Sequence, residues 1–347
     1  MKATTIILTV LLCVFQTFSF AQGQNSDSEI FIRKGIELHD NGKYKKAIKQ
    51  YKKALKLNNE DVLALYELAM SYLAMEDYNK SIYYSKKVIE LDKDDNSTIL
   101  GYVNYGTSLD MLGKQDEALK VYEKGMLRFN YYLLYYNHAV TALSMNKIEL
   151  ARESAISSIT VNPNHGSSHL LLSKTYLLEN KLTQFLLSKY FFFLVEPSSQ
   201  RSSIEYSNLK KLQHLDKDLI TKDDKGNLNL NLNFNVTDDT TYLHQEIFLL
   251  SAKTKKIINP SITDTELFVS TVKGLFETLE DFKSNEPEFV ADFYIPIYQK
   301  IQEKKLTEPF AYFILQGSEP DAKKWLENNE KELERLYSFF SADQEGK

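Results

Sequence analysis

Residues 35–55 read GIELHDNGKYKKAIKQYKKAL. Small and large apolar residues recur through this stretch at helical spacing, and Gly42 breaks it into two helices. Gly35, Leu38, Ala47, Tyr51 and Ala54 supply the apolar positions. Moving 34 residues along the chain meets the same pattern at Ala69, Tyr72, Ser81, Ser85 and Val88, with Leu65 and Leu68 at the earlier apolar sites. A three-residue insertion, Asn96 to Thr98, then shifts the frame. Beyond it, Gly106, Leu109, Gly113, Ala118, Tyr122 and Gly125 form a third copy, and Ala139, Ala142, Ala151, Ala155 and Pro163 a fourth. A fifth keeps Leu172, Ser173, Tyr176 and Pro197 but carries Phe185, Lys189 and Phe192 where small or aromatic residues stood.

This register resembles that of the tetratricopeptide repeat family, whose pattern pairs small residues with aromatics at a period of about 34 residues. The resemblance covers 28–199, in five units: 28–61, 62–95, 99–132, 132–165 and 166–199. It implies an all-α fold: a right-handed helical solenoid in which each helix pair, having one apolar side too many, stacks on its neighbours. It also implies a concave surface lined by the first helix of each pair. Carried over residue by residue, that groove takes Ile32, Ile36 and His39 from the first repeat and Leu63, Tyr66, Met70 and Leu73 from the second. The third supplies Leu100, Val103, Thr107 and Asp110. The fourth supplies Leu133, Tyr136, Val140 and Leu143, and the fifth Leu170, Lys174 and Leu177. The list is mostly apolar, a surface that soluble proteins rarely leave wet. Members of the family that hold a carboxylate use lysine and asparagine where this chain has Ile32 and Ile36, so that function does not carry over. Two occupants remain open: an apolar segment of a protein or peptide partner, or this chain's own C-terminal module.

Composition agrees with long helices. Of 347 residues only 12 are glycine and 7 proline, and the formal net charge is −5. Scarce turn-formers disfavour a loop-rich β protein, and the charge gives no domain-scale basic surface for nucleic acid. Lys2 followed by an apolar run from Ile6 to Phe20, then Ser19-Phe20-Ala21, reads as a secretory signal over 1–21 cleaved before Gln22. The run is too short to span a bilayer as a helix, and no later segment resembles a transmembrane helix. Cys13, the sole cysteine, lies inside that run after Leu12 rather than after a small residue, which argues against a lipoprotein signal. The mature chain is therefore expected in the periplasm or cell envelope, with no cysteine.

After Pro197 the period is lost, and 200–347 reads as a separate C-terminal module. Asn227 to Asn235 alternate with Leu228, Leu230, Leu232, Phe234 and Val236, which predicts a strand near 227–237, paired with Leu219–Thr221 in a short hairpin. The remainder predicts helices over 204–215, 241–253, 264–283, 287–304, 307–316 and 320–340, with Thr263 or Asp264 capping one and Pro320 starting the last. The stretch FYIPIY (293–298) resembles C-terminal regions of exported bacterial tetratricopeptide proteins, a likeness that carries no chemistry. Aromatics such as Phe289, Phe293, Tyr294, Tyr298, Phe310, Trp325 and Tyr337 fit a packed core better than a ligand pocket.

No catalytic machinery is legible. No phosphate-binding glycine loop or serine-hydrolase elbow occurs. His165 and His169 have a spacing that could hold a metal, but one falls in a turn and no acidic partner lies nearby. Asp216, Asp218, Asp223 and Asp224 invite a calcium reading, but Ile220 and Thr221 break the required pattern. The second helix of the first repeat carries Lys43, Lys45, Lys46, Lys49, Lys52, Lys53 and Lys56 without an acid, which suits either a solvated face or contact with anionic lipid or an acidic partner. The expectation is an extracytoplasmic scaffold or adaptor for protein–protein interaction, with no cofactor, metal or catalytic residue. The alternative makes the C-terminal module a small-ligand or glycan binder, or an unrecognised enzyme, positioned by the repeats.

Overall fold

Gly42, Glu76, Gly113, Asn146 and Asn180 hold the same place in the five repeats, and each has a left-handed φ between 57° and 74°. In each turn the next residue's N–H reaches back five residues, as in Lys43 N to Leu38 O at 2.8 Å and Lys181 N to Tyr176 O at 2.9 Å. This is a Schellman closure, which satisfies carbonyls at a helix end and turns the chain back. The computed structural model describes residues 27–91, 96–214, 220–222, 228–230, 255, 259, 261–279 and 289–342. The expected signal sequence, the acidic cluster from Asp216 to Asp224 and the helix expected over 241–253 lie outside them.

The chain divides into two compact units between Lys114 and Gln115. The first contains α1 (Asp27–Asp40), α2 (Tyr44–Leu57), α3 (Val62–Ala74), α4 (Tyr78–Leu91) and α5 (Asn96–Met111). The three inserted residues lengthen α5 by almost one turn, with Thr98 fully buried, rather than looping out. Its core holds the positions read from the period: Ala47, Tyr51, Ala54, Ala69, Ser81, Ser85 and Val88 are buried. Small residues there are a steric requirement. A Cβ on Gly35 would lie 2.3 Å from the Tyr51 ring. That ring's hydroxyl donates at 3.1 Å to Glu67, a buried carboxylate whose pKa is raised by burial.

The second unit contains α6 (Gln115–Met126), α7 (Tyr132–Ser144), α8 (Ile148–Val161), α9 (Gly166–Leu178), α10 (Leu182–Val195) and α11 (Gln200–His214). These are followed by β1 (Ile220–Lys222), β2 (Leu228–Leu230), α12 (Asp264–Glu277), a π-turn at Val290–Tyr294, α13 (Ile295–Glu303), α14 (Thr307–Leu315), α15 (Pro320–Asn328) and α16 (Glu330–Ala342). The expected strand near 227–237 is described only at Leu228–Leu230, which pairs antiparallel with Ile220–Lys222. An isolated ladder this short adds no layer, and the architecture is helical. The expected helix over 320–340 is two helices, because the Asn329 side chain donates to the Trp325 carbonyl at 2.8 Å and competes with the helical ladder. The helix expected from 287 instead opens as a π-turn: Pro296 has no N–H to give, and the Ile295 N–H bonds five residues back to Val290 O.

Between α13 and α14, Lys305 (φ 58°) repeats the turn of the five repeats, with Leu306 N on Ile301 O at 2.8 Å. A sixth hairpin of the same closure thus stands in the C-terminal half. One core runs through the unit, from Ala139, Leu172 and Tyr190 to Phe268, Tyr298, Phe310 and Leu336. Tyr298 donates to the Leu187 carbonyl at 2.8 Å, and Gly317 N to the Pro197 carbonyl at 3.1 Å. Lys189, which breaks the repeat pattern, is buried and paired with Glu205 of α11 at 2.6 Å.

Fully buried His169 has both ring nitrogens occupied, 2.7 Å from the Pro163 carbonyl and 2.7 Å from the Tyr294 hydroxyl. A carbonyl only accepts, so Nε2 carries the hydrogen and Tyr294 donates to Nδ1. Burial pushes this imidazole down to about 4. Between about pH 6.5 and 4 the unfolded chain therefore binds the extra proton, so stability falls as the medium is acidified through that window. His39, His138 and His165 are lowered by burial too, with the same sign. Urea unfolding at pH 7.5 and 4.0 should show a loss that shrinks in His169→Gln, His169 itself accounting for about 3 kcal/mol. Gly35→Ala should cost about 1–3 kcal/mol through overpacking on Tyr51. Gly274→Ala, whose added methyl meets nothing within 4 Å, should be neutral or stabilising by up to about 1 kcal/mol.

Candidate interaction surface

The groove positions implied by the repeat register fall on the first helix of each pair, and the structure sorts them. In the first unit, Leu63, Tyr66, Met70 and Leu73 stand three, four and three residues apart on α3; Leu63 at the head is exposed and the other three are half-buried. Such spacing puts them on one stripe of a helix. Leu100, Val103, Thr107 and Asp110 form the matching half-buried stripe on α5, which packs directly on α3. On α1, Ile36 and His39 are half-buried, and His39 Nδ1 lies 2.8 Å from the Ser71 hydroxyl. Ile32 does not join them. It is buried among Ala47, Ile48, Tyr51, Ala64 and Leu68, because α1 turns that residue toward its own pair.

In the second unit the same positions meet more protein. Tyr136, Val140 and Leu143 of α7 are half-buried and packed against the large core, while Leu170 is buried within it. Tyr136 also sets its ring edge-on to His165 at 4.9 Å. Leu133 is half-buried, and Lys174 and Leu177 are exposed. Tyr136 and Leu170 are thus structural members of this unit. Sequence reasoning also missed the Tyr51–Glu67 bond, which needs knowledge that α2 and α3 adjoin.

No group of three or more His, Cys, Asp or Glu that could hold a metal occurs among the described residues. No described helix is long and apolar enough to cross a membrane. Trp325 stacks on Tyr312 at 4.2 Å between ring centres, so the sole tryptophan reports internal packing.

Comparison with known proteins places the register. A family model described as "TPR repeat" matches residues 35–76, and one described as "Tetratricopeptide repeat" matches 62–95. The chain is similar to the Hsp70-Hsp90 organising protein of Plasmodium falciparum, 21% identical over 158 residues, which is 42% of this chain and 26% of that protein. It thus spans about a quarter of the length of that curated relative. Among solved structures, TTC0263, a thermophilic TPR protein of Thermus thermophilus, is 19% identical, with TM-score 0.46, covering 52% of this chain and 97% of that one. PilW, a type IV pilus biogenesis factor, is 14% identical, with TM-score 0.45, covering 79% and 99%. The two overlapping repeat models match where the 34-residue register and its left-handed turns were read, so residues 35–95 are tetratricopeptide repeats.

Proposed function

We propose that this protein is an exported bacterial scaffold that holds a protein or peptide partner along the stripes of α3 and α5 in its first unit. The observation that carries the reading is the half-buried apolar stripe Tyr66-Met70-Leu73 on α3, adjoined by Leu100 and Val103 on α5, the two helices being in direct contact. An apolar surface of that kind suits an amphipathic helix or an extended segment whose side chains fill it. In the second unit, the bonds from Tyr294 to His169 and from Tyr298 to the Leu187 carbonyl support reading the C-terminal helices as its resident occupant. The first unit is therefore the place for an outside partner.

Export rests on the N-terminal pattern alone: Lys2, the apolar run to Phe20 and the small residues Ser19 and Ala21. Periplasmic or envelope location follows from it as part of the same proposal.

Two measurements test this reading. The doubly substituted mature chain, Tyr66→Asp with Met70→Asp, should lose partner capture from an envelope extract by at least roughly 10-fold, as for paired hot-spot residues. Its circular dichroism should be unchanged, and capture at the native level would overturn the assignment. Mass spectrometry of the chain purified from its own cells should give a mature N-terminus at Gln22. An intact Met1 would remove the export half of the proposal.

A further inference from the structure

The six lysines inside α2, Lys45, Lys46, Lys49, Lys52, Lys53 and Lys56, are all exposed. At 100° per residue they fall within an arc of about 120°, so they form one continuous charged face. None of them makes an ion pair with an acid among the described residues, and no acid occurs in the helix. The face continues onto α4. Lys52 from α2 and Lys80 from α4 converge on the same ring, 5.8 Å and 5.1 Å from the centre of Tyr72, which itself stacks on Tyr84 at 5.6 Å. Lys87 extends it, 4.8 Å from the Tyr83 ring centre, whereas Lys86 turns toward α5, 5.1 Å from the Tyr105 ring centre. Among the described residues Lys80 forms a salt bridge, with Asp77, and Glu90 lies in the field of Lys87. A chain of net charge −5 has thus gathered eight lysines on one face of α2 and α4.

We propose that this α2–α4 face docks on an anionic lipid surface. Three features favour a bilayer over an acidic polypeptide. Every cation is lysine, a hydrated point charge that responds to diffuse negative charge and lacks the planar fork that makes arginine the preferred partner of carboxylates. Lysine is depleted at protein–protein interfaces, where arginine is enriched. Leu57 and Tyr83, 57% and 53% exposed, border the lysines. An exposed leucine and tyrosine beside a basic face are what an interfacial contact uses, the apolar parts entering the headgroup boundary while the ammonium groups meet lipid phosphates. The surface is separate from the α3–α5 stripes, so docking and partner binding stand or fall independently.

The test uses the full mature chain and vesicles of pure phosphatidylcholine or of phosphatidylcholine with about 30% phosphatidylglycerol as the anionic lipid. Flotation should recover the protein with the anionic vesicles only, and recovery should fall as salt is raised past the screening range. Lys45→Glu, Lys46→Glu, Lys49→Glu and Lys56→Glu together should lower partitioning on the order of 100-fold or more. These four lysines contact no ring among the described residues, and the corresponding glutamine set, with circular dichroism and urea midpoint unchanged, separates lost charge from lost fold. No flotation with anionic vesicles at low salt, or equal flotation of the glutamate variant, overturns the proposal. So does capture of poly-glutamate by a chain that ignores vesicles, which would assign the face to an acidic polypeptide.

Discussion

A helix pair covers only the sides that its two members turn toward each other, and α10 is buried at every residue from Thr183 to Phe193. A helix apolar on all sides needs protein on all sides. Its partner α9 covers one side, and α11, α13 and α14 supply others through Glu205, Tyr298 and the strip around Phe310. The C-terminal helices are in this sense required by the fifth repeat. Removing them would leave Phe185, Leu186, Tyr190 and Phe193 facing water. Among the described residues of the first unit no helix is buried in this way, and the outward face of α2 is charged.

Polar groups placed inside such a core fix how its parts fit. Lys189 is held among aromatic rings only because Glu205 meets it, and burial alone would favour its neutral form. His169 is satisfied on one side by a repeat-to-repeat turn and on the other by Tyr294 from a segment 125 residues away. Leaving either ring nitrogen unmet would cost the desolvation of a buried polar group. A slipped docking of the C-terminal helices therefore loses bonds as well as contacts, which selects one arrangement among many apolar ones.

The repeats were legible because their signal is steric and periodic: Ala47, Ala118 and Ala151 hold one small position and Ala69 and Ala139 another, and a stride of about 34 residues finds both once the insertion at Asn96 to Thr98 is allowed for. The sixth hairpin escaped notice since its corresponding places carry Tyr298 and Phe310, and its left-handed residue is Lys305 rather than glycine or asparagine. Propensity gives no hint of such a turn. Groove membership was legible helix by helix but not residue by residue. Ile32 and Leu170 sit one face away from solvent, and only the neighbours that cover them decide this. The break at Asn329 and the π-turn before Pro296 were readable in kind, from an asparagine and a proline, but not in the backbone path they impose.

That π-turn makes chain length itself a structural parameter. Five residues, Val290 to Tyr294, fit where a regular helix would advance further, and Phe289 and Phe293 stack at 5.2 Å while Tyr294 reaches His169. Deleting one of the five would restore the ordinary ladder and yet rotate everything upstream by about 100°, swinging Phe289 away from its mate. Substitutions in this segment are graded injuries, whereas a single-residue deletion is a phase error that no side-chain adjustment can correct.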